Sequence, residues 1–490
     1  MAVLPIGAAI RWQAERDPDR PAITQVPVPA TPSYGQRTIT RGELEGRTNR
    51  LARTYERLGV KEGDFVTIGL PNGIDFYEAA VAAWKLGATP QPVSYRLPPR
   101  EREEIVALAG ASLVVTEPIP PDDDASDEPI LPDRTAPSLK APTSGGSTGR
   151  PKLIVSAQPG VADPEGPGGF GLDPDGVQLV PGPLYHNGPF MFSMSGLFKG
   201  QHLIVLPRFD ASASLELMER HGVTWVLMVP TMMLRIWRLP EEERRSRDLS
   251  ALQGMLHLAA PCPPWLKEAW IEWLGPERIW ELYAGTEAQG VTIISGADWM
   301  AHKGTVGKPA EGTMKILDPE TREELPAGEI GEVWMRPLDP EARTYRYIGA
   351  EARRDDDGWE SLGDMGSMDA EGYLYLADRR TDLILAGGAN IYPAEVEAAL
   401  DEHPAVQSCC VIGLPDEDLG QRVHAILELE DGPAAAVTDD ELRVFLKERL
   451  APYKIPRSFE RAAGTIRDDA GKVRRSALRD QRLPKEGATA

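Results

Sequence analysis

Between residues 40 and 93 the hydrophobic period switches repeatedly, and this alternation restricts the chain more than any single residue does. Thr40 and Glu43 have the spacing of a capping box, and Leu44, Leu51, Tyr55 and Leu58 follow at helical intervals until Gly59. Phe65–Leu70 reads as a strand, Ile74–Leu86 as a second helix and Gly87 as its stop. Strands separated by helices of this length are joined by crossovers, so they form a parallel sheet covered on both faces. The expected class is α/β.

At 490 residues the chain is long enough for roughly three to four average domains, or for one large domain with a smaller one. Its net charge of −22 disfavours a non-specific nucleic-acid binder, so no nucleic-acid partner is expected. Cys262, Cys409 and Cys410 match neither a zinc spacing nor a disulfide framework, which points to a reducing compartment. Cys409 and Cys410, followed by Val411 and Ile412, read as a buried strand. No apolar run is long enough for a membrane span. The first ten residues lack a basic region and contain Pro5, so no signal peptide is expected. A cytoplasmic protein, monomer or homodimer, is the expectation.

Glu117–Pro142, rich in Pro and Asp, reads as an exposed acidic loop, and residues 157–176 as a second Gly/Pro-rich loop. The second contains Gly166, Gly168 and Gly171 in the dinucleotide-type G-x-G-x-x-G spacing. No strand precedes it and Asp173-Pro-Asp-Gly176 follows where a helix should start, so the match is rejected. Trp265, Trp270, Trp273 and Trp280 are nearly helical in spacing and read as core rather than a stacking surface. From Glu441 to Ala490 there are 13 Lys and Arg against 7 Asp and Glu, an excess of +6 in an acidic chain. This end either meets a phosphorylated ligand or forms a solvated face against the acidic body.

The strongest local signal runs from Thr143 to Lys152: Thr143, Ser144, Gly145, Gly146, Ser147, Thr148, Gly149, Arg150, Pro151, Lys152. Glycines let backbone approach a phosphate closely, N–H groups and hydroxyls surround its oxygens, and two cations stand just beyond. Arg-Pro-Lys after Gly149 rules out a Walker A loop. By composition alone, a flexible Ser/Gly turn remains an equal alternative.

Six further segments follow in order: Tyr185-His-Asn187, Glu281–Glu287, Gly363-Asp364, Asp378–Asp382, Gly387–Pro393 and Gly471-Lys472. Together with Thr143–Lys152 they resemble the adenylate-forming enzymes, a superfamily of acyl-CoA synthetases, nonribosomal adenylation domains and luciferases. The resemblance runs from about Leu44 to Leu478 and is most like the CoA ligases of fatty, steroid-type or aryl acids.

The resemblance implies a large N-terminal domain of parallel-type α/β sheets with a barrel-like part, residues 1–380, and a small mobile α+β domain, residues 381–490. Thr143–Lys152 would grip the β- and γ-phosphates of ATP, with Lys152 as a point charge. Thr286 and Glu287 would hold the α-phosphate and Mg²⁺, a hard cation suited to a carboxylate. Tyr283 would stack on adenine, with Ala259-Ala260-Pro261 at its edge, and Asp364 and Arg379 would hold the ribose. His186 would steer the carboxylate. Lys472 would bridge carboxylate and α-phosphate as the adenylate forms. Gly387 and Gly388 belong to the segment expected to line the pantetheine channel, with Thr381 as the pivot between the two arrangements. Met191, Phe192, Trp225, Met228 and Met232 surround the candidate pocket and suggest an apolar acid.

The expected reaction is ATP-dependent formation of an acyl-adenylate, then transfer to CoA, with ATP, Mg²⁺ and CoA required and a small carboxylic acid as substrate. The alternatives are an amide-forming ligase with an amine acceptor, a non-catalytic nucleotide-binding scaffold, and a luciferase-type oxygenase. Intact Thr286, Glu287, Asp364, Arg379 and Lys472 argue against the scaffold.

Overall fold

A computed structural model describes residues 3–122, 124–145, 151–430, 436–468 and 471–483. Its largest sheet has nine strands in the order Lys308–Glu311, Val291–Ser295, Ile279–Ala284, Gly254–His257, Trp225–Met228, Val177–Val180, His202–Val205, Pro21–Gln25, Arg37–Thr40. From Ile279–Ala284 to Pro21–Gln25 neighbours run parallel, and the outer strands are antiparallel. A second parallel sheet holds Thr89–Pro92, Phe65–Ile68 and Leu113–Val115. The α/β expectation is met.

The local rules hold where the signals are local. Thr40 caps the helix Arg41–Arg57 with both halves of a capping box, and Leu44, Leu51 and Tyr55 enter the core. Leu58 does not. The helix stops at Arg57, Gly59 at φ +101° turns the chain away, and Leu58 is left 52% exposed. The next helix, Ile74–Lys85, is buried at almost every position, and Gly87 follows it at φ +71°.

Two antiparallel sheets make up the barrel-like part. One orders Tyr345–Ile348, Pro151–Ser156 and Thr143–Gly145; the other orders Thr313–Leu317, Gly331–Arg336, Asp364–Met368 and Leu374–Arg379. A 3₁₀ turn, Arg380–Asp382, leads from the last of these to a C-terminal five-stranded sheet. That sheet orders Ala389–Ile391, Ile384–Ala386, Gly420–Leu429 and Val406–Asp416, with Ser458–Arg461 parallel to Gly420–Leu429. Helices Pro393–Asp401 and Asp439–Lys447 pack on it, so this part is α+β. Cys409 and Cys410 lie fully buried in its longest strand.

The loops differ in part from their sequence reading. Residues 117–135 are mostly exposed, but 136–142 turn inward, because Trp84 Nε1 donates to Leu139 O at 3.0 Å and the Ala141 amide to Pro90 O at 3.1 Å. The G-x-G-x-x-G segment is a loop followed by the strand Val177–Val180, and Trp225 Nε1 donates to Phe170 O at 2.9 Å. Trp270 is fully buried in helix Pro264–Leu274, with Trp265 and Trp273 packed against the same core. Trp280 packs with Phe170. In the C-terminal part the cations find acids at hand: Arg449 with Glu402, Lys454 with Glu395, Arg461 with Asp439, Arg482 with Glu460, and Arg467 and Arg475 with Glu397. Among the described residues no helix is long and apolar enough to cross a membrane.

Candidate active site

Gly146, Ser147, Thr148 and Gly149 lie outside the described residues. The strands on either side, Thr143–Gly145 and Pro151–Ser156, pair antiparallel, with Ser144 opposite Lys152 and Gly145 opposite Pro151. Thr143 Oγ1 accepts from Gln91 Nε2 at 3.1 Å, which fixes this strand pair to the second parallel sheet.

Beside Lys152 of the second strand lies Glu287. Its side chain is buried, Tyr347 Oη donates to Oε1 at 2.5 Å, and Lys152 Nζ stands 3.7 Å from the same oxygen. Lys152 also lies 3.8 Å from the centre of the Tyr347 ring, so tyrosine, glutamate and lysine hold one another. Burial pulls the Lys152 pKa below the ordinary lysine value, and Glu287 opposes that pull. Thr344 Oγ1 donates to the Glu287 carbonyl at 2.7 Å. At Gly285 a Cβ would stand 2.3 Å from Leu362 Cδ1 and 2.9 Å from Glu287 Oε2, so a larger residue would displace both side chains. Thr286, between them, is half-buried.

A second group forms across three strands. Tyr283, on Ile279–Ala284, donates its hydroxyl to Asp364 Oδ2 at 2.8 Å. Asp364 and Arg379 face each other in register on adjacent strands, with Arg379 Nε 3.2 Å from Asp364 Oδ1. Burial, then the charge of Asp364, pushes the Tyr283 pKa far up, so it remains a phenol and a donor. Ala259, just beyond the strand Gly254–His257, has φ +77°; Ala260 follows it, half-buried.

His186 is the N-cap residue of the helix Asn187–Phe198. Buried Asn72 ties the approach to it, donating to Gly182 O and Leu206 O and accepting from the Leu184 amide at 2.9 Å. Across the crevice comes the C-terminal turn. Its Asp468 amide donates to Lys472 O at 2.8 Å, the Lys472 amide donates back to Asp468 Oδ1 at 2.9 Å, and Asp468 Oδ2 lies 3.7 Å from His186 Nε2. Gly471, at φ +74°, rests so close to the helix Pro230–Trp237 that a Cβ would be 2.2 Å from Thr231 Oγ1. Lys472 is open to water yet crowded by protein. That crowding lowers its pKa, Asp468 opposes it, Arg379 adds to it and Glu287 opposes it. The field of Lys472 therefore reaches both groups described above.

Gly387 and Gly388 do not join this assembly. They turn the hairpin between Ile384–Ala386 and Ala389–Ile391 at φ +58° and +82°. Among the described residues no hydrogen bond or ion pair links them to the N-terminal part. The pocket residues also divide: Met228 and Met232 are buried in the large core, whereas Phe192 stacks on Trp225 at 5.7 Å and meets Phe170. Arg467 and Arg475 are consumed inside the C-terminal part by Glu397, so they are not free for a phosphate.

Sequence reasoning missed Tyr347 and Lys140, and quoted Asn187 only as the end of the Tyr185–Asn187 segment, with no role of its own. Tyr347 has no local motif and reaches Glu287 only because Tyr345–Ile348 pairs with Pro151–Ser156. Lys140 looked like part of a Pro-rich loop, yet it is buried and donates to Asn187 Oδ1.

Comparisons with known proteins identify the family. The model of the AMP-binding enzyme family matches residues 10–144 and 141–338, and that of the AMP-binding enzyme C-terminal domain residues 395–468. A feruloyl-CoA synthase of Amycolatopsis sp. is 32% identical over 91% of this chain and 94% of its own length. The o-succinylbenzoate CoA synthetase of Bacillus subtilis, solved with its acyl-adenylate, is 25% identical with a TM-score of 0.76, covering 99% of this chain and 100% of that one. Its complex with ATP and a magnesium ion gives 26% identity and a TM-score of 0.75, over 96% and 98%. An amide bond synthetase of Marinactinospora thermotolerans shares the fold at TM-score 0.75 and 22% identity, over 98% and 100%.

Proposed function

The chain belongs to the AMP-binding enzymes, and from that premise we propose that it activates an apolar carboxylic acid at ATP and transfers the acyl group to CoA. One observation carries the reading. Lys152, Glu287, the Tyr283–Asp364–Arg379 group and Lys472 come from distant parts of the chain and lie close enough to feel one another's charge.

In this reading adenine lies against Tyr283 and the Ala259–Ala260 backbone, and the ribose hydroxyls donate to Asp364 beside Arg379. The Thr143–Lys152 hairpin takes the β- and γ-phosphates. A carboxylate oxygen attacks the α-phosphorus, the bond to the bridging oxygen breaks, and pyrophosphate leaves with that electron pair. Lys472 stabilises the charge gathered between the two anions, which is the point where a preorganised cation lowers the barrier. His186 fixes the direction of approach, and half-buried Phe192, backed by fully buried Trp225, would be the aromatic wall for an apolar acyl group. In the second step the CoA sulfur attacks the acyl carbon and AMP leaves.

Glu287 suits Mg²⁺. Its Oε2 accepts no hydrogen bond from a described residue and faces Gly285, which leaves a hard carboxylate oxygen available beside the hairpin. Bound there, the ion would neutralise phosphate charge.

We place the domain boundary at the 3₁₀ turn after Arg379, with 1–380 and 381–490 as the two units and Thr381 as the pivot. Gly387 and Gly388 lie away from the crevice in this arrangement, so thioester formation requires the small domain to turn. The test is a pyrophosphate-release screen over fatty, aryl and steroid-type acids with Mg-ATP, run with CoA, with simple amines and with neither. Acid-dependent pyrophosphate and a CoA thioester support the reading. No acid-dependent pyrophosphate, with ATP binding confirmed, overturns it, and an amide product transfers the second step to amine acceptors.

A further inference from the structure

Three lysines are buried among the described residues, and two of them explain themselves. Lys85 donates to Glu45 Oε2 at 2.5 Å and to Asn49 Oδ1 at 2.6 Å. Lys267 donates to Glu281 Oε2 at 2.5 Å. Each ammonium has its carboxylate, which is how a buried charge is normally tolerated. Lys140, 8% exposed, has none. Among the described residues its one hydrogen-bond partner is the neutral amide oxygen of Asn187, and no acid lies within ion-pair distance. Glu287 is near enough to be felt, but it is held by Tyr347 and faces Lys152. Burial accordingly pulls the Lys140 pKa down to about 7, with Glu287 opposing.

The position of Lys140 says which anion is missing. Asn187 is the first residue of the helix Asn187–Phe198, directly after His186, and the partial positive charge of that helix start adds to the ammonium. Further along the same helix Phe192 stands against Trp225 and Phe170, the apolar wall assigned above to the acyl group. The β- and γ-phosphates already have Lys152 and the hairpin. A cation tied to the acyl-side helix, within the field of Glu287, fits the head of the acid rather than the tail of ATP.

We infer that Lys140 receives the carboxylate of the incoming acid, which brings the negative counter-charge that Lys85 and Lys267 obtain from glutamates. This rests on the adenylation reading. Lys140 holds one carboxylate oxygen beside Asn187 while the other attacks the α-phosphorus. Lys472 enters from the opposite side with the small domain. The two lysines therefore have separate roles, one binding the ground-state acid and the other stabilising the transferring charge. Once the adenylate has formed, the carboxylate charge is gone and Lys140 has no anion left to hold, so the second step should not depend on it.

The test uses the full chain, with Lys140→Met and Lys140→Gln beside the parent and an acid accepted by the parent. Loss of a charge-assisted hydrogen bond is expected to raise KM for the acid about 10- to 100-fold. KM for ATP should stay within about threefold, and CoA-thioester formation from preformed acyl-adenylate should be unchanged. The Tm of Lys140→Met should equal or exceed that of the parent, because a buried charge is replaced by an apolar chain of similar length. Four results overturn the inference alone: an unchanged KM for the acid, an equal rise in KM for ATP, an impaired second step, or loss of activity in both variants together with a lowered Tm. A parent that releases no pyrophosphate with any acid overturns the adenylation reading and this inference with it.

Discussion

Arg238 is the residue through which the docking of the two domains can be measured. It caps the C-terminus of the large-domain helix Pro230–Trp237 and extends into the small domain. Its guanidinium donates to Gln407 O at 2.7 Å and Asp401 O at 3.1 Å, and stands 3.6 Å from Glu430. Arg238→Met keeps much of the apolar stem and deletes all three interactions. Two hydrogen bonds from a charged donor, each worth about 1 to 1.5 kcal/mol net, make roughly 2 to 3 kcal/mol. The partly exposed Glu430 pair adds little beyond that. At about 1.4 kcal/mol per factor of ten, docking should weaken by about 30- to 100-fold. The linker supplies its own assay, since Arg379 and Arg380 are trypsin sites held by the last strand and the 3₁₀ turn, with the Arg380 amide donating to Gly363 O at 2.8 Å. Cleavage there should accelerate by the same factor when it proceeds from the undocked state. Acid-dependent pyrophosphate release should slow, while thioester formation from preformed adenylate should hold or improve. A variant cleaved at the parent's rate, with both half-reactions unchanged, would falsify the assignment of Arg238 as the docking contact.

Lys472→Ala should slow adenylate formation by about 10²- to 10³-fold and leave thioester formation from preformed adenylate nearly intact; equal damage to both steps refutes its confinement to the first. His202, 2.8 Å from Thr24 Oγ1, has its pKa pushed down to about 4 by burial, then by His221 and Arg20. A histidine lowered from the usual value of about 6.5 lends stability fully above that pH and loses it as pH falls towards 4, by up to roughly 3 kcal/mol. The Tm difference between parent and His202→Gln should therefore shrink between pH 7 and pH 5, and a constant difference counts against the argument.

What could be read from the sequence was what is settled within a few residues. Thr40 and Glu43 satisfy each other's backbone across one turn, so their helix was legible without any tertiary knowledge. Thr143–Lys152 is different: by composition alone a flexible turn was an equal alternative, and only the six segments in order beside it pointed to phosphate. Leu58 failed for the opposite reason: its helical spacing is genuine, but where the helix ends decides whether a position faces core or water. The basic C-terminus left two readings open for the same reason, since Arg475 and Glu397 are 78 residues apart and only folding brings the acid to the arginine.

The residues that complete the site were illegible because their chemistry is supplied by position. A tyrosine at 347 is an ordinary strand residue until antiparallel pairing sets it against Lys152 and Glu287. Lys140 is harder still, because nothing near it in sequence distinguishes it from a solvated loop lysine. Its meaning arises from a contrast visible only in three dimensions: two other lysines were buried together with glutamates, and this one was buried without an acid. A protein loses stability by enclosing an ammonium that way, and the loss is recovered only when an anion arrives. The groups that the resemblance assigns to ATP are legible as motifs because ATP is common to the family. The groups that meet the acid have to be found from burial and charge balance, since the acid is what distinguishes one member from another.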